Sequence, residues 1–523
     1  MLKKLRVVLA VFFLSAVTLL FLDYTGTIHA YLGWSAHMQF VPARLSVHDA
    51  IIAGLILVTL LLGRVYCSVI CPLGVFQDVV SRVAGIGKKN RFAYRPPRKG
   101  LVALRISVFV VFLASAALHV PIITGLLEPY SAYGRMMSQI FGPLYQLGNN
   151  ALAHFAERSD SYAFYSVDVW VRSVCVLIVA IVTFLVISVF AWKSGRGYCN
   201  GICPLGAVFG FFAKSSVVKM RINKEKCGGC GICAKSCKAG CIDPSDMEID
   251  YSRCVSCFNC TVNCRKGAVK YTSSGWCAKT QSPAKASSAD VKKCASAAQC
   301  ADGAAADNLS SDSAARRGLL AGAALVIAGL FTRGLARTYD FDGGLAPLED
   351  KKAPARSKPI VPPGAISAKN FRARCTGCQQ CVTVCSNQVL RPSNKMSNFM
   401  QPHMSFERGY CRPECIKCST TCPTGAIRPI TTAEKSSIQI GIAIWNPGLC
   451  IVNVDKVVCD LCSRKCPTGA ITMIAKFPDD TTSPKIPMID TARCTGCGAC
   501  EHLCPSRPYS AIHVDGVDVH RTI

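Results

Sequence analysis

Acidic residues are scarce in this chain. Its 523 residues include 31 Asp and Glu against 59 Lys and Arg, a formal net charge of +28. Charge of either sign is missing from residues 7–22, 50–62 and 173–192, and residues 106–123 carry only His119. A mean hydropathy of +0.31 excludes a disordered chain. The length exceeds one ordinary domain and predicts two to four units. No base-reading motif or aromatic-interleaved basic platform accompanies the cations, so the surplus does not read as a nucleic-acid footprint. A membrane span needs about 20 mostly apolar residues. Four such runs within the first 192 residues, flanked by basic residues, read as spans rather than core helices.

The cations are unevenly placed. Arg82, Lys88, Lys89, Arg91, Arg95, Arg98 and Lys99 occur with no acid among them, and Lys193, Arg196, Lys214, Lys219, Arg221, Lys224 and Lys226 oppose only Glu225. Loops rich in Lys and Arg stay inside. The N-terminus, residues 64–100 and residues 193 to about 315 are therefore expected in the cytoplasm, with loops 24–47 and 124–166 outside. A fifth, shorter run at 318–331 follows Arg316-Arg317, which reads as a twin-arginine export signal inside the chain, with Ala315 where Ser or Thr is usual. A cluster-bearing domain assembled in the reducing cytoplasm must cross already folded. Export of the last domain is thus expected. The other arrangement is a half-buried helix that leaves it inside.

The 33 cysteines have a grammar. Cys227, Cys230, Cys233 and Cys237, then Cys254, Cys257, Cys260 and Cys264, are two C-x2-C-x2-C-x3-C runs, the two-cluster ferredoxin pattern. Three thiolates of one loop grip three irons, and the fourth iron takes a ligand from the other run. Cys264 is therefore expected with Cys227, Cys230 and Cys233, and Cys237 with Cys254, Cys257 and Cys260. The usual Pro after the fourth cysteine is missing: Lys238 and Arg265 stand there, and Cys241 is a rival ligand. Four more runs follow: Cys375, Cys378, Cys381, Cys385; Cys411, Cys415, Cys418, Cys422; Cys450, Cys459, Cys462, Cys466; and Cys494, Cys497, Cys500, Cys504. The repeat predicts six 4Fe–4S clusters in all. Short β-type segments before Cys494 and at 511–514 fit ferredoxin strands. Cys277, Cys294 and Cys300, in an Ala/Ser/Lys-rich stretch, have no ligand spacing.

A different motif closes two of the spans. Gly63 and Gly195 each open G-R-x-Y-C-x3-C-P-L-G, a duplication that suggests two related two-span halves. Cys67, Cys71, Cys199 and Cys203 in these elbows could together hold a metal or a further iron–sulfur centre. The rival reading is two pairs of structural cysteines.

Residues 1–275 resemble NapH, the membrane quinol dehydrogenase component of periplasmic nitrate reductase systems. The resemblance lies in the paired C-x3-C-P elbows, the four spans, Glu128-Pro129-Tyr130-Ser131-Ala132-Tyr133-Gly134-Arg135 and the trailing two-cluster ferredoxin. Residues 316–515 resemble NapG, the exported four-cluster ferredoxin, in the twin arginine, the four ordered motifs, the long Cys450–Cys459 gap and Gly441-Ile442-Ala443-Ile444. Resemblance to iron–sulfur subunits with four such motifs implies pairing of the first run with the fourth and the second with the third.

The expected fold class is an α-helical membrane domain of four spans, plus a fifth signal-like span, with α+β ferredoxin-like domains. The expected map is a membrane domain at 1–215, a cytoplasmic two-cluster ferredoxin at 216–275, a linker at 276–315, a signal-like helix at 316–336, a linker at 337–366 and a periplasmic four-cluster ferredoxin at 367–523. The resemblance implies a quinol dehydrogenase of the bacterial inner membrane. Its partners would be the quinone pool, a periplasmic reductase or cytochrome and a cytoplasmic electron donor. His119, Glu128 and Arg135 are the candidate groups for quinol, because an ionisable residue in or beside a span is functional by default; His29, His37, His48 and Asp23 are weaker ones. An assembly factor, a passive electron wire and flow from ferredoxin to quinone remain open alternatives.

Overall fold

The computed structural model describes residues 1–86, 92–96, 99–118, 120–161, 164–273, 349–478 and 483–523. His119, the stretch 276–315, the signal-like helix at 316–336 and Cys277, Cys294 and Cys300 lie outside these residues.

Seven helices organise the first part of the described chain: α1 (Leu2–Leu22), α2 (Asp49–Leu62), α3 (Pro72–Val83), α4 (Lys99–Ala117), α5 (Pro129–Met136), α6 (Val174–Ser194) and α7 (Pro204–Lys214). Among the described residues, α1, α4 and α6 are long and apolar enough to cross a membrane. The 21 residues of α1 and of α6 rise about 31 Å, close to a hydrocarbon core of about 30 Å. The 14 residues of α2 rise only about 21 Å. The run expected to span at 50–62 therefore falls short of the others. The run expected at 106–123 is also displaced. Its helix begins at Lys99 and stops at Ala117, and a new short helix starts at Pro121, because a proline disfavours helical geometry in the residue before it.

The two elbows obey one local rule. In each, Gly63 or Gly195 ends the preceding helix with a positive φ, and Pro72 or Pro204 opens α3 or α7 at the first helical turn, where its missing N–H costs nothing.

Two small α+β modules complete the fold. In the N-terminal module β1 (Lys219–Ile222) pairs antiparallel with β2 (Val269–Thr272), from Lys219 opposite Thr272 to Ile222 opposite Val269. In the C-terminal module β3 (Leu390–Pro392) pairs with β4 (Pro402–Met404), β5 (Ile438–Trp445) with β8 (Ile512–Thr522), and β6 (Ile471–Ala475) with β7 (Lys485–Ile489), all antiparallel. The strands expected before Cys494 and at 511–514 are β7 and the start of β8. Phe371, Val382, Phe406, Ile440 and Val514 are buried in the core of this module.

The modules sit at opposite ends of the helical bundle. Ser173, which caps the start of α6, donates to Asn394 of the C-terminal module at 2.6 Å. Arg196, just past the end of α6, donates its backbone N–H to the Lys238 carbonyl of the N-terminal module at 2.9 Å. α2 repeats the arrangement: the C-terminal module reaches Ser46 before it, and the backbone of Val217 and Val218 bonds to Leu60 and Leu61 at its end.

Candidate functional site

The elbows fold back into the bundle and bring their four cysteines together. Cys71 is an electrostatic neighbour of Cys67, Cys199 and Cys203, and all four are buried. The duplicated motif makes a crossed pair. Arg64 of the first elbow donates to the second, to Asn200 Oδ1 at 2.9 Å and the Cys199 carbonyl at 3.5 Å. Arg196 of the second donates to the Cys67 carbonyl of the first at 2.6 Å. The two glycines of C-P-L-G permit this. A Cβ at Gly74 would lie 2.3 Å from the Cys67 carbonyl oxygen and 2.7 Å from Arg196 Nη1, and one at Gly206 would lie 2.0 Å from the Cys199 oxygen.

The charges around the thiols are unbalanced. Arg64 and Arg196 are both fully buried. Asp78 accepts from Arg196 at 2.7 Å and from Lys238 at 2.6 Å, and also pairs with Arg6. One carboxylate thus faces three cations. Among the described residues, Arg64 bonds to neutral groups and to Cys67 Sγ at 3.8 Å. Gln77 adds a donor, 3.1 Å from Cys199 Sγ. Buried cations are costly unless an anion compensates them, so this setting fits four thiolates of a centre whose net charge is negative. Among the described residues no three His, Cys, Asp or Glu side chains close in on a single ion.

Lys238 resolves the missing proline. Its ammonium pairs with Asp78 and its carbonyl accepts from Arg196, so the residue after Cys237 clamps the N-terminal module onto the elbows. Within that module Cys260 neighbours Cys257, Cys254 and Cys237, and Cys233 neighbours Cys227 and Cys230. Cys241 lies 3.5 Å from Cys237 and also touches Cys254, inside the second thiol group.

The C-terminal module corrects the expected pairing. Cys381 neighbours Cys375, Cys378 and Cys422 first and Cys418 after them, whereas Cys418 neighbours Cys411, Cys385 and Cys415. Cys462 groups with Cys450, Cys459 and Cys504, and Cys494 and Cys497 group with Cys466. The first run therefore exchanges with the second and the third with the fourth. The short helices Gln380–Thr383 and Lys417–Thr421 pack on each other, as do Leu461–Arg464 and Ala499–Leu503. Each exchange is thus made between runs adjacent in sequence.

The first of these groups faces the bundle. Tyr130 Oη donates to Gln380 Oε1 at 2.8 Å, and Gln380 Nε2 lies 2.7 Å from His29 Nε2. His29 Nδ1 is in turn 3.1 Å from Asp23. Ser131 Oγ donates to Thr376 at 2.8 Å. A Cβ at Gly134 would lie 2.5 Å from the Phe21 ring and 2.6 Å from the Cys378 carbonyl oxygen. His29 and Asp23 thus serve the junction between bundle and module. His37 lies 5.7 Å from His48, ring to ring, and Ser46 is 2.6 Å from His48 Nδ1.

Glu128 and Arg135 differ in role. Both Glu128 oxygens accept backbone N–H groups, from Tyr130 at 3.1 Å and from Ser131, and so cap α5. Each oxygen keeps a further lone pair, so the cap leaves the expected proton-acceptor role of Glu128 open. Arg135 is fully buried, and its three guanidinium nitrogens have no hydrogen-bond partner among the described residues. Its electrostatic neighbours are Glu128, Cys378 of the C-terminal module and Tyr198 of the second elbow. Sequence reasoning missed Asp78, although it is the one acid between Asp49 and Glu128.

Comparison with known proteins agrees with this chemistry. A family described as a 4Fe-4S binding domain matches residues 50–91 and 176–225, which contain the two elbows. A 4Fe-4S dicluster domain family matches residues 457–507. The methylamine utilization ferredoxin-type protein MauM of Methylobacillus flagellatus is 30% identical over 165 residues, covering 31% of this chain and 70% of that protein. MauM of Methylophilus methylotrophus is 31% identical over 31% of this chain and 72% of its own. The ferredoxin-type protein NapG of Escherichia coli is 30% identical over 33% of this chain and 79% of its own. No solved structure matches. With three apolar helices added to its cysteine runs, the chain is a membrane-type iron–sulfur protein for electron transfer and belongs to the MauM and NapG family of ferredoxin-type proteins.

Proposed function

We propose that this chain takes electrons from quinol in the membrane and carries them through the bundle to the C-terminal module, which passes them to a periplasmic reductase or cytochrome. One observation carries the reading. Cys257 of the N-terminal module and Cys378 of the C-terminal module both pack against the same buried core that contains Cys67, Cys71 and Cys203. A gap of about 30 Å of hydrocarbon is too wide for one efficient step between the modules. Cys67, Cys71, Cys199 and Cys203 would hold a centre that supplies an intermediate one-electron carrier.

Iron–sulfur centres, when bound, carry single electrons. The six ferredoxin runs hold one each in pairs, and Cys67, Cys71, Cys199 and Cys203 hold a further one. Arg64, Arg196 and Gln77 supply hydrogen bonds and positive charge to the elbow thiolates. Arg135 places a desolvated cation between the second elbow and Cys378. In this reading residues 1–275 act as the NapH-like partner of the NapG-like module.

The test is reduction of the purified full chain by quinol, followed by EPR. The wild type should develop the spectra of both modules. A Cys67→Ser/Cys199→Ser variant should reduce only one module, with iron lower by about four atoms. Quinol that reduces neither module of the wild type overturns the reading.

A further inference from the structure

The bundle contains a cavity of about 800 Å³ at the end nearest the N-terminal module, between α4, the second elbow and α7. Its volume lies in the range of small-molecule sites, roughly 300–1,000 Å³. The exposed wall is mostly apolar, with Phe109, Phe190 and Phe211 in it, and Arg105, Asn200, Asp250 and Arg253 are among the polar lining residues. Arg105 reaches in from α4 and donates to the Gly206 carbonyl at 2.7 Å. Asn200 stands beside it, held by Arg64 at 2.9 Å. Elsewhere the cavity meets the exposed apolar flanks of α4 and α7, where Leu101, Ile106 and Phe211 face outward.

We propose that this cavity is the binding site of an isoprenoid quinone, its ring against Arg105 and Asn200 and its tail leaving along the outer flank of α4. The proposal rests on the quinol reading above. Two features favour a quinone over a phospholipid. The cavity is lined by Cys237, a thiol of the N-terminal module, and by Asn200 and Gly201, which lie between Cys199 and Cys203. A redox substrate needs to touch both places, and a lipid needs neither. Arg105 offers a donor for a ring carbonyl, and Arg95, Lys214, Arg253 and Asp250 also line the cavity. By contrast, the cavity beside Ser138, Gln139 and Thr383, at the junction with the C-terminal module, measures about 30 Å³.

Gly201 offers a clean obstruction. A Cβ there meets nothing within 4 Å, so a larger side chain enters open space. The full chain, in nanodiscs of neutral phospholipid, is titrated with a fluorescent quinol analogue and separately irradiated with an azidoquinone. Iron content is measured for every variant. Cross-links are expected in residues 99–117 and 204–214. Gly201→Leu and Arg105→Gln should each weaken analogue binding at least tenfold with iron content unchanged. Cross-links confined to residues 128–141, wild-type binding by both variants, or displacement of the analogue by anionic phospholipid overturns the location. Quinol reduction of the wild-type clusters then still stands, which separates this failure from failure of the quinol reading itself.

Discussion

The Lys238 ammonium lies 2.6 Å from the Asp78 carboxylate, joining the residue after Cys237 to the helix that leaves the first elbow. Both side chains are largely buried. Asp78 also holds Arg196 and Arg6, so one acid fixes the N-terminal module, both elbows and the start of α1.

Asp78→Asn should be severely destabilising. It leaves three cations without their shared carboxylate, and breaking a buried pair from one side costs about 3–5 kcal/mol. The N-terminal module should become sensitive to protease and lose iron first. Thermal unfolding with iron analysis checks this, and an unchanged melting profile would show that the ion pair does not hold the module.

Iron counting distinguishes the two pairings of the C-terminal module. Cys378 and Cys422 share a thiol group, whereas Cys378 and Cys385 belong to different ones. Cys378→Ser/Cys422→Ser should therefore lose about four iron atoms, no more than either single variant. Cys378→Ser/Cys385→Ser should lose about eight. If Cys378→Ser/Cys504→Ser loses only four, the first run pairs with the fourth after all.

Gly134→Ala should separate the modules functionally. Its methyl group would meet Phe21 and the Cys378 carbonyl far inside contact distance. Overpacking of this kind costs about 1–3 kcal/mol, and it acts where α5 meets the C-terminal module. Stopped-flow reduction should show the N-terminal clusters reduced at the wild-type rate and the C-terminal clusters delayed at least tenfold. Equal rates for both modules would place the transfer path elsewhere.

His403 makes the C-terminal module sensitive to acid. Burial first, then the nearby Arg356, Arg391 and Lys395, hold its pKa down at about 4. Between about pH 6.5 and pH 4 the unfolded chain binds a proton that the folded chain refuses. Stability therefore falls as pH drops through this window, by up to about 3 kcal/mol for this residue. Denaturant unfolding at pH 7 and pH 4.5 should show a smaller acid penalty in His403→Asn than in the wild type.

The cysteine spacing is legible in the linear string. Six four-cysteine runs and two C-P elbows are readable because cluster ligands must sit a few residues apart on one loop, and local spacing survives in a linear string. The apolar helices were readable for a similar reason: a span is a contiguous segment. Which thiols meet depends on packing between distant segments. The exchange between adjacent runs, the crossed grip of Arg64 and Arg196 and the packing of Cys257, Cys67 and Cys378 on one core join residues far apart in the chain. The structure also turned Glu128 into a helix cap and gave Lys238 the partner that accounts for a missing proline. The scarcity of acid reads differently as a result. One acid, Asp78, has three cations around it, beside the four elbow thiols.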